Sequence, residues 1–112
     1  MSKESVEHYF LAELIADEVR HYTEKVYTKQ SYEADVIFEM QVDKLNLKYA
    51  FEIETGTLMT RPMQLQEKIE KNDQKYFQWW FVVTNKDNKK KYSKLHDTLT
   101  RTEVKHKIKE LF

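Results

Sequence analysis

The chain has 112 residues, 40% hydrophobic and 13% aromatic, which is enough for a single domain (residues 1–112) around one modest core. It contains no cysteine, which excludes disulfides and thiolate metal sites; it also opens without a basic leader or a long uncharged apolar run, so a cytoplasmic protein with no membrane span is expected. The formal net charge of zero conceals a split: residues 1–56 carry 6 Lys/Arg against 12 Asp/Glu, and residues 57–112 carry 13 against 7. Such a division suits an acidic cation site beside a polyanion-binding surface, and unrelated solvated helices produce it equally well.

Val6, Phe10, Leu14 and Ile15 recur at helical spacing, with Leu11 and Val19 widening the stripe, and predict a helix over about residues 3–22 capped by Ser2 or Ser5. Lys25 to Thr28 and Lys29 alternate around a β-branched and aromatic centre and read as a short strand before a turn at Gln30 and Ser31. A second strand is expected from about Glu33 to Val42, a hairpin turn over Asp43-Lys44-Leu45-Asn46, and a third strand from about Lys48 to Thr55. Gly56, the only glycine, follows where the backbone must turn away from the sheet; Pro62, the only proline, suits the first turn of a helix running to about Asp73. On that helix Leu65 and Ile69 form an apolar pair, and Gln64, Lys68 and Lys71 line a separate stripe.

The run from Tyr76 to Thr84 is apolar almost throughout, as for a strand covered on both faces, and a helical crossover makes it a parallel neighbour of the third strand. Trp79 and Trp80 then point to opposite faces and pack against helices; base stacking is the alternative use. Asn85 to Lys91 reads as a polar loop, and Tyr92 to Leu99 as partly helical. A final helix opens at Thr100, with Glu103 three residues on completing a capping box and Val104, Ile108 and Leu111 facing inward. That capped ending suggests a complete domain. The expected order is α-β-β-β-α-β-α.

The chemistry concentrates in Tyr49-Ala50-Phe51-Glu52-Ile53-Glu54-Thr55-Gly56. Side chains alternate along a strand, so Glu52 and Glu54 share one side while Phe51 and Ile53 share the other. Carboxylates inside such a strand are costly unless something compensates them. A divalent cation would do so, with Asp35 in the preceding apolar strand as a third ligand; the competing reading is the solvated face of an antiparallel strand. The four histidines have no His-x-x-x-His spacing and read as ordinary surface or helix residues. There is no glycine-rich phosphate loop and no Ser or Cys nucleophile in a recognisable setting.

The element order, the Asp in strand two and the Glu near the end of strand three resemble the PD-(D/E)xK nuclease superfamily, which includes restriction endonucleases and archaeal Holliday-junction resolvases. The resemblance spans roughly residues 6–84. Asp35 falls on the family's metal-binding Asp, Glu52 on the first acidic position of the (D/E)xK element, and Glu54 where the family usually has Lys; Ala34 stands where the motif's name has Pro. The resemblance implies an α/β, restriction-endonuclease-like three-layer α/β/α core with a small central mixed sheet. It also implies Mg²⁺ or Mn²⁺ held by Asp35 and Glu52, and Glu54 as a further ligand or general base. Lys68 or Lys71 on the following helix would replace the missing Lys, and Glu7, Glu13 or Glu18 would be a contribution from helix one.

The implied activity is metal-dependent hydrolysis of DNA phosphodiesters, with structure rather than sequence as the target, since so small a chain has little surface for reading bases. Lys86, Lys89, Lys90 and Lys91 are then the natural phosphate contacts. A homodimer or a place in a larger machine fits such a protein. Two rival readings stand beside this one: a nuclease-fold domain that has lost catalysis and binds DNA or a protein, and an unrelated α/β interaction domain with the three carboxylates scattered.

Overall fold

The computed structural model describes residues 3–28 and 33–112. In chain order these form α1 (Lys3–Arg20), β1 (Val26–Thr28), β2 (Val36–Val42), β3 (Leu45–Glu54), α2 (Pro62–Lys75), β4 (Gln78–Val83), α3 (Lys89–Ser93), β5 (Thr98–Thr100) and α4 (Arg101–Leu111), with short 3₁₀ turns at Thr57–Thr60 and Lys86–Asn88. The turn expected at Gln30 and Ser31 and the Ser2 cap lie outside the described residues; Ser5 falls inside α1 rather than ahead of it.

The strands make one mixed sheet whose spatial order, β1-β2-β3-β4-β5, is also the chain order. β1, β2 and β3 pair antiparallel, and β3, β4 and β5 pair parallel. The β2–β3 hairpin closes over only two residues, Asp43 and Lys44, and Asp43 takes a left-handed φ of 56°. Asp tolerates that conformation through its short polar side chain, so β3 starts at Leu45, earlier than expected.

Alternation along the strands builds a core on each face. Phe51 and Ile53 of β3, with Phe38, Trp80 and Val82, pack under α1 and α4; Ala50, with Trp79, Phe81 and Val83, packs under α2 and α3. Trp79 and Trp80 thus serve opposite faces, as strand geometry requires. Helices flank the sheet on both sides in three layers.

Three expectations are corrected. Val6, Phe10 and Leu14 face outward, Phe10 and Leu14 being 59% and 56% exposed, while Leu11, Ala12, Ile15, Ala16 and Val19 are buried. Both stripes have helical period; Ala12 and Ala16, having little side chain, let the backbone of α1 lie close to the sheet on the second. The Tyr92–Leu99 segment is helical in part, over Tyr92 and Ser93, but its end at Thr98 and Leu99 opens an unexpected strand, β5, which extends the order to α-β-β-β-α-β-α-β-α. Its three residues are too few to show a period, and Thr100 also serves as the N-cap of α4. The Asn85–Lys91 loop is a 3₁₀ turn running directly into α3. Among the described residues no helix is long and apolar enough to cross a membrane.

Candidate active site

Asp35 lies one residue before β2, and Val36 pairs with Phe51, so continuing the antiparallel register sets Asp35 opposite Glu52. The hydrogen bonds agree. The Asp35 amide donates to Glu52 Oε1 (3.3 Å), and the Ile53 amide donates to Asp35 Oδ2 (2.7 Å). Glu52 and Glu54, on the α2 side of β3, are only 5% and 4% exposed. From α2, Asn72 Nδ2 donates to Glu52 Oε2 (2.9 Å), and Lys68 Nζ forms an ion pair with Glu54 Oε1 at 2.9 Å. The Tyr92 hydroxyl of α3 donates to Glu54 Oε2 (3.4 Å), and from α1 the His8 Nε2 meets Asp35 Oδ1 at 2.9 Å. Asp35, Glu52 and Lys68 line one cleft of 340 Å³ with Gln64, Glu67 and Lys71 of α2.

Buried charge dominates the electrostatics. Burial pushes the Glu52 carboxyl up to about 7; Lys68 opposes the shift and the neighbouring Asp35 adds to it. Burial raises Glu54 as well, against the attraction of Lys68. Desolvation works to lower Lys68, but Glu52 and Glu54 outweigh it and leave the ammonium above its ordinary value. The hydrogen bond to Asp35 raises His8 against its own partial burial.

This donor set fits a hard divalent cation. Asp35 and Glu52 are held side by side through the Asp35 and Ile53 amides, and the Asp35 charge adds to the burial that raises Glu52; a cation shared between the two carboxylates would relieve both. Among the described residues no three His, Cys, Asp or Glu side chains form a ready cage. An ion here would therefore rest on two carboxylates and keep several waters, the pattern Mg²⁺ favours.

The four residues singled out for catalysis, Asp35, Glu52, Glu54 and Lys68, thus come together. The candidate phosphate contacts follow β4 on the same side of the sheet as the C-terminal end of β3: Asn88 packs against Gly56, and Tyr92 reaches Glu54. Lys86, Lys90 and Lys91 are exposed there, whereas Lys89 Nζ is held by both Glu103 oxygens at 2.7 Å.

Sequence reasoning overlooked His8, Asn72 and Tyr92. His8 shares the inward face of α1 with Leu11 and Ile15, and Asn72 continues the Leu65, Ile69 stripe of α2; a polar residue on a buried helical stripe was the signal in both cases. Tyr92 carried no such signal. No protein-family model, curated protein or solved structure matches this chain. The functional reading therefore rests on the geometry of the site.

Proposed function

We propose that this chain is a metal-dependent DNA nuclease with a restriction-endonuclease-like core. The observation that carries the reading is the meeting of two carboxylates, Asp35 at the entry to β2 and Glu52 on β3, with a helix-borne ammonium, Lys68, around one cleft. Phosphodiester hydrolysis needs an activated water and positive charge against the phosphoryl oxygens. Asp35 and Glu52 would hold Mg²⁺ or Mn²⁺, which supplies a bound water of lowered pKa and neutralises phosphoryl charge.

The chain's own groups do the rest. Lys68 faces the cleft as a fixed cation for the phosphate, and Glu54 keeps it charged and in place; Tyr92 anchors Glu54 from behind. Glu54 therefore stands where the resemblance calls for Lys, and the ammonium returns from α2 to the same spot. Asn72 orients Glu52, while His8 and the Ile53 amide orient Asp35, so the carboxylates are set before substrate arrives. DNA is the substrate class because the exposed Lys86, Lys90 and Lys91 crowd the same end of the sheet.

The test is cleavage of a panel of single-stranded, duplex, nicked, flapped and four-way-junction DNA in Mg²⁺ or Mn²⁺. Glu52→Gln should reduce the rate at least about 100-fold, and Lys68→Ala by a similar factor with DNA affinity little changed. A wild-type protein that binds DNA in a salt-sensitive way but cleaves nothing would be a nuclease fold turned to binding alone.

A further inference from the structure

A second cleft, of 280 Å³, opens at the C-terminal ends of β4 and β5, lined by Val83, Thr84, Lys86, Thr100, Arg101 and Thr102. We propose that it holds a second backbone phosphate of the DNA strand bound at the carboxylate cleft, an inference that rests on the nuclease reading above. Sheet register fixes its position. Glu54 pairs with Val83, and Val83 with Thr100, so the three residues form one row across the ends of parallel strands. Two strand spacings of about 4.8 Å place the second cleft about 10 Å from Glu54. A single strand, which extends well beyond the duplex rise of about 3.4 Å per phosphate, covers that distance in about two nucleotides.

Charge singles out this cleft. Of the basic side chains near the site, Lys68 is committed to Glu54, Lys75 to Glu33 and Lys89 to Glu103, and the exposed Lys90 and Lys91 line neither cleft. Among the described residues Lys86 and Arg101 form no ion pair, although both are exposed on the cleft wall. The amides of α4 are not what recommends the place, because Glu103 and Thr100 close the first turn on each other through the capping box. Lys86 and Arg101 supply the charge, with the Thr84 hydroxyl as a neutral donor beside it, while the Thr102 hydroxyl is shared with that of Thr100 at 3.2 Å.

The cleft is also tied to the carboxylates. Asn85 accepts from the Asp87 amide (2.9 Å) and shapes the turn that carries Lys86. Asn88 packs on Gly56, and Tyr92 bonds Glu54, so the β4–α3 segment and the end of β3 are fixed to each other. A strand crossing from one cleft to the other meets two anion sites at a set separation.

The experiment measures affinity for labelled single-stranded DNA in EDTA, where no cleavage occurs, across a range of salt concentrations and with oligonucleotides of two and of eight nucleotides. The Lys86→Gln/Arg101→Gln double variant should bind the longer strand roughly tenfold more weakly. Its salt slope should be flatter by about 0.7, one single-strand phosphate lost. The two-nucleotide strand, whose single internal phosphate cannot fill both clefts, should show no difference, and Lys105→Gln on the outer face of α4 should behave as wild type. Unchanged affinity and slope, or an equal loss with Lys105→Gln or with the two-nucleotide strand, overturns the second phosphate site. Absence of cleavage in Mg²⁺ would overturn the nuclease reading alone, because the binding measurement in EDTA stands apart from it.

Discussion

Glu52 is the residue at which the fold and the proposed activity conflict. Burial drives its carboxyl up to about 7, from about 4.3 in an unfolded chain, so between those values the folded protein holds a proton that the unfolded one has released. Stability must then fall as pH rises through that window, the reverse of the usual salt-bridged carboxylate. The full cost above pH 7 is on the order of 3 kcal/mol. Glu52→Gln removes the charge and keeps one acceptor for Asn72, at the loss of the bond from the Asp35 amide, so relative to wild type it should be about 1–3 kcal/mol more favourable at pH 8 than at pH 5, as read from urea unfolding at the two values. Gly56 sets a second constraint at this scale. Its φ of 107° is hostile to other residues, and an added Cβ would sit 2.8 Å from Asn88 Nδ2. Gly56→Ala should cost about 1–2 kcal/mol in the same measurement, chiefly from backbone strain, since the Asn88 side chain is able to turn aside.

Elements were legible where one pattern had no rival. β3 and β4 declared themselves by apolar runs, and the capping box placed α4 correctly. The charged pair Glu52 and Glu54 stood out because nothing in a covered strand explains it. α1 misled because it carries two stripes of equal period, Val6-Phe10-Leu14 and Leu11-Ile15-Val19, and hydrophobicity alone does not rank them; the alanines beside the second decide which side meets the sheet. The difference is measurable: Ile15→Ala should cost about 2–4 kcal/mol, whereas Phe10→Gln should change stability by less than about 0.5 kcal/mol. Polar residues on buried helical faces escaped notice for a related reason. His8 and Asn72 interrupt apolar stripes, and their use depends on carboxylates that approach only in three dimensions. α4 supplies a further test of element stability. The hydrogen bond from Lys89, with those from the Thr100 amide and hydroxyl region, holds Glu103 down to about 2, so its contribution is present above about pH 4.5 and lost as pH falls toward 2. The stability gap between wild type and Glu103→Gln should close across that interval, and amide exchange in α4 should accelerate with it.

For the whole molecule, strand order equal to chain order turns a charge split along the sequence into one across the sheet. The acidic half supplies α1, β1, β2 and β3 with Asp35, Glu52 and Glu54; the basic half supplies α2 through α4 with Lys68, Lys86 and Arg101. The two meet where α2 faces Asp35 and Glu52, and the carboxylate cleft lies between them. An uncompensated carboxylate at that seam lowers the stability of the entire fold, so a cation bound there should stabilise all of it by mass action. At about 100 times its dissociation constant the ion contributes about 2.7 kcal/mol, which for a chain of this size raises Tm by about 10 °C. The pH dependence follows in sign: near pH 6 the ion must displace the Glu52 proton, and near pH 8 it need not, so the rise in Tm should be larger at pH 8. Thermal unfolding with and without Mn²⁺ at both pH values should show this in the wild-type protein and no shift in Glu52→Gln. An equal shift in the variant would place the ion elsewhere, and no shift in the wild type at saturating Mn²⁺ would remove the cation from the cleft.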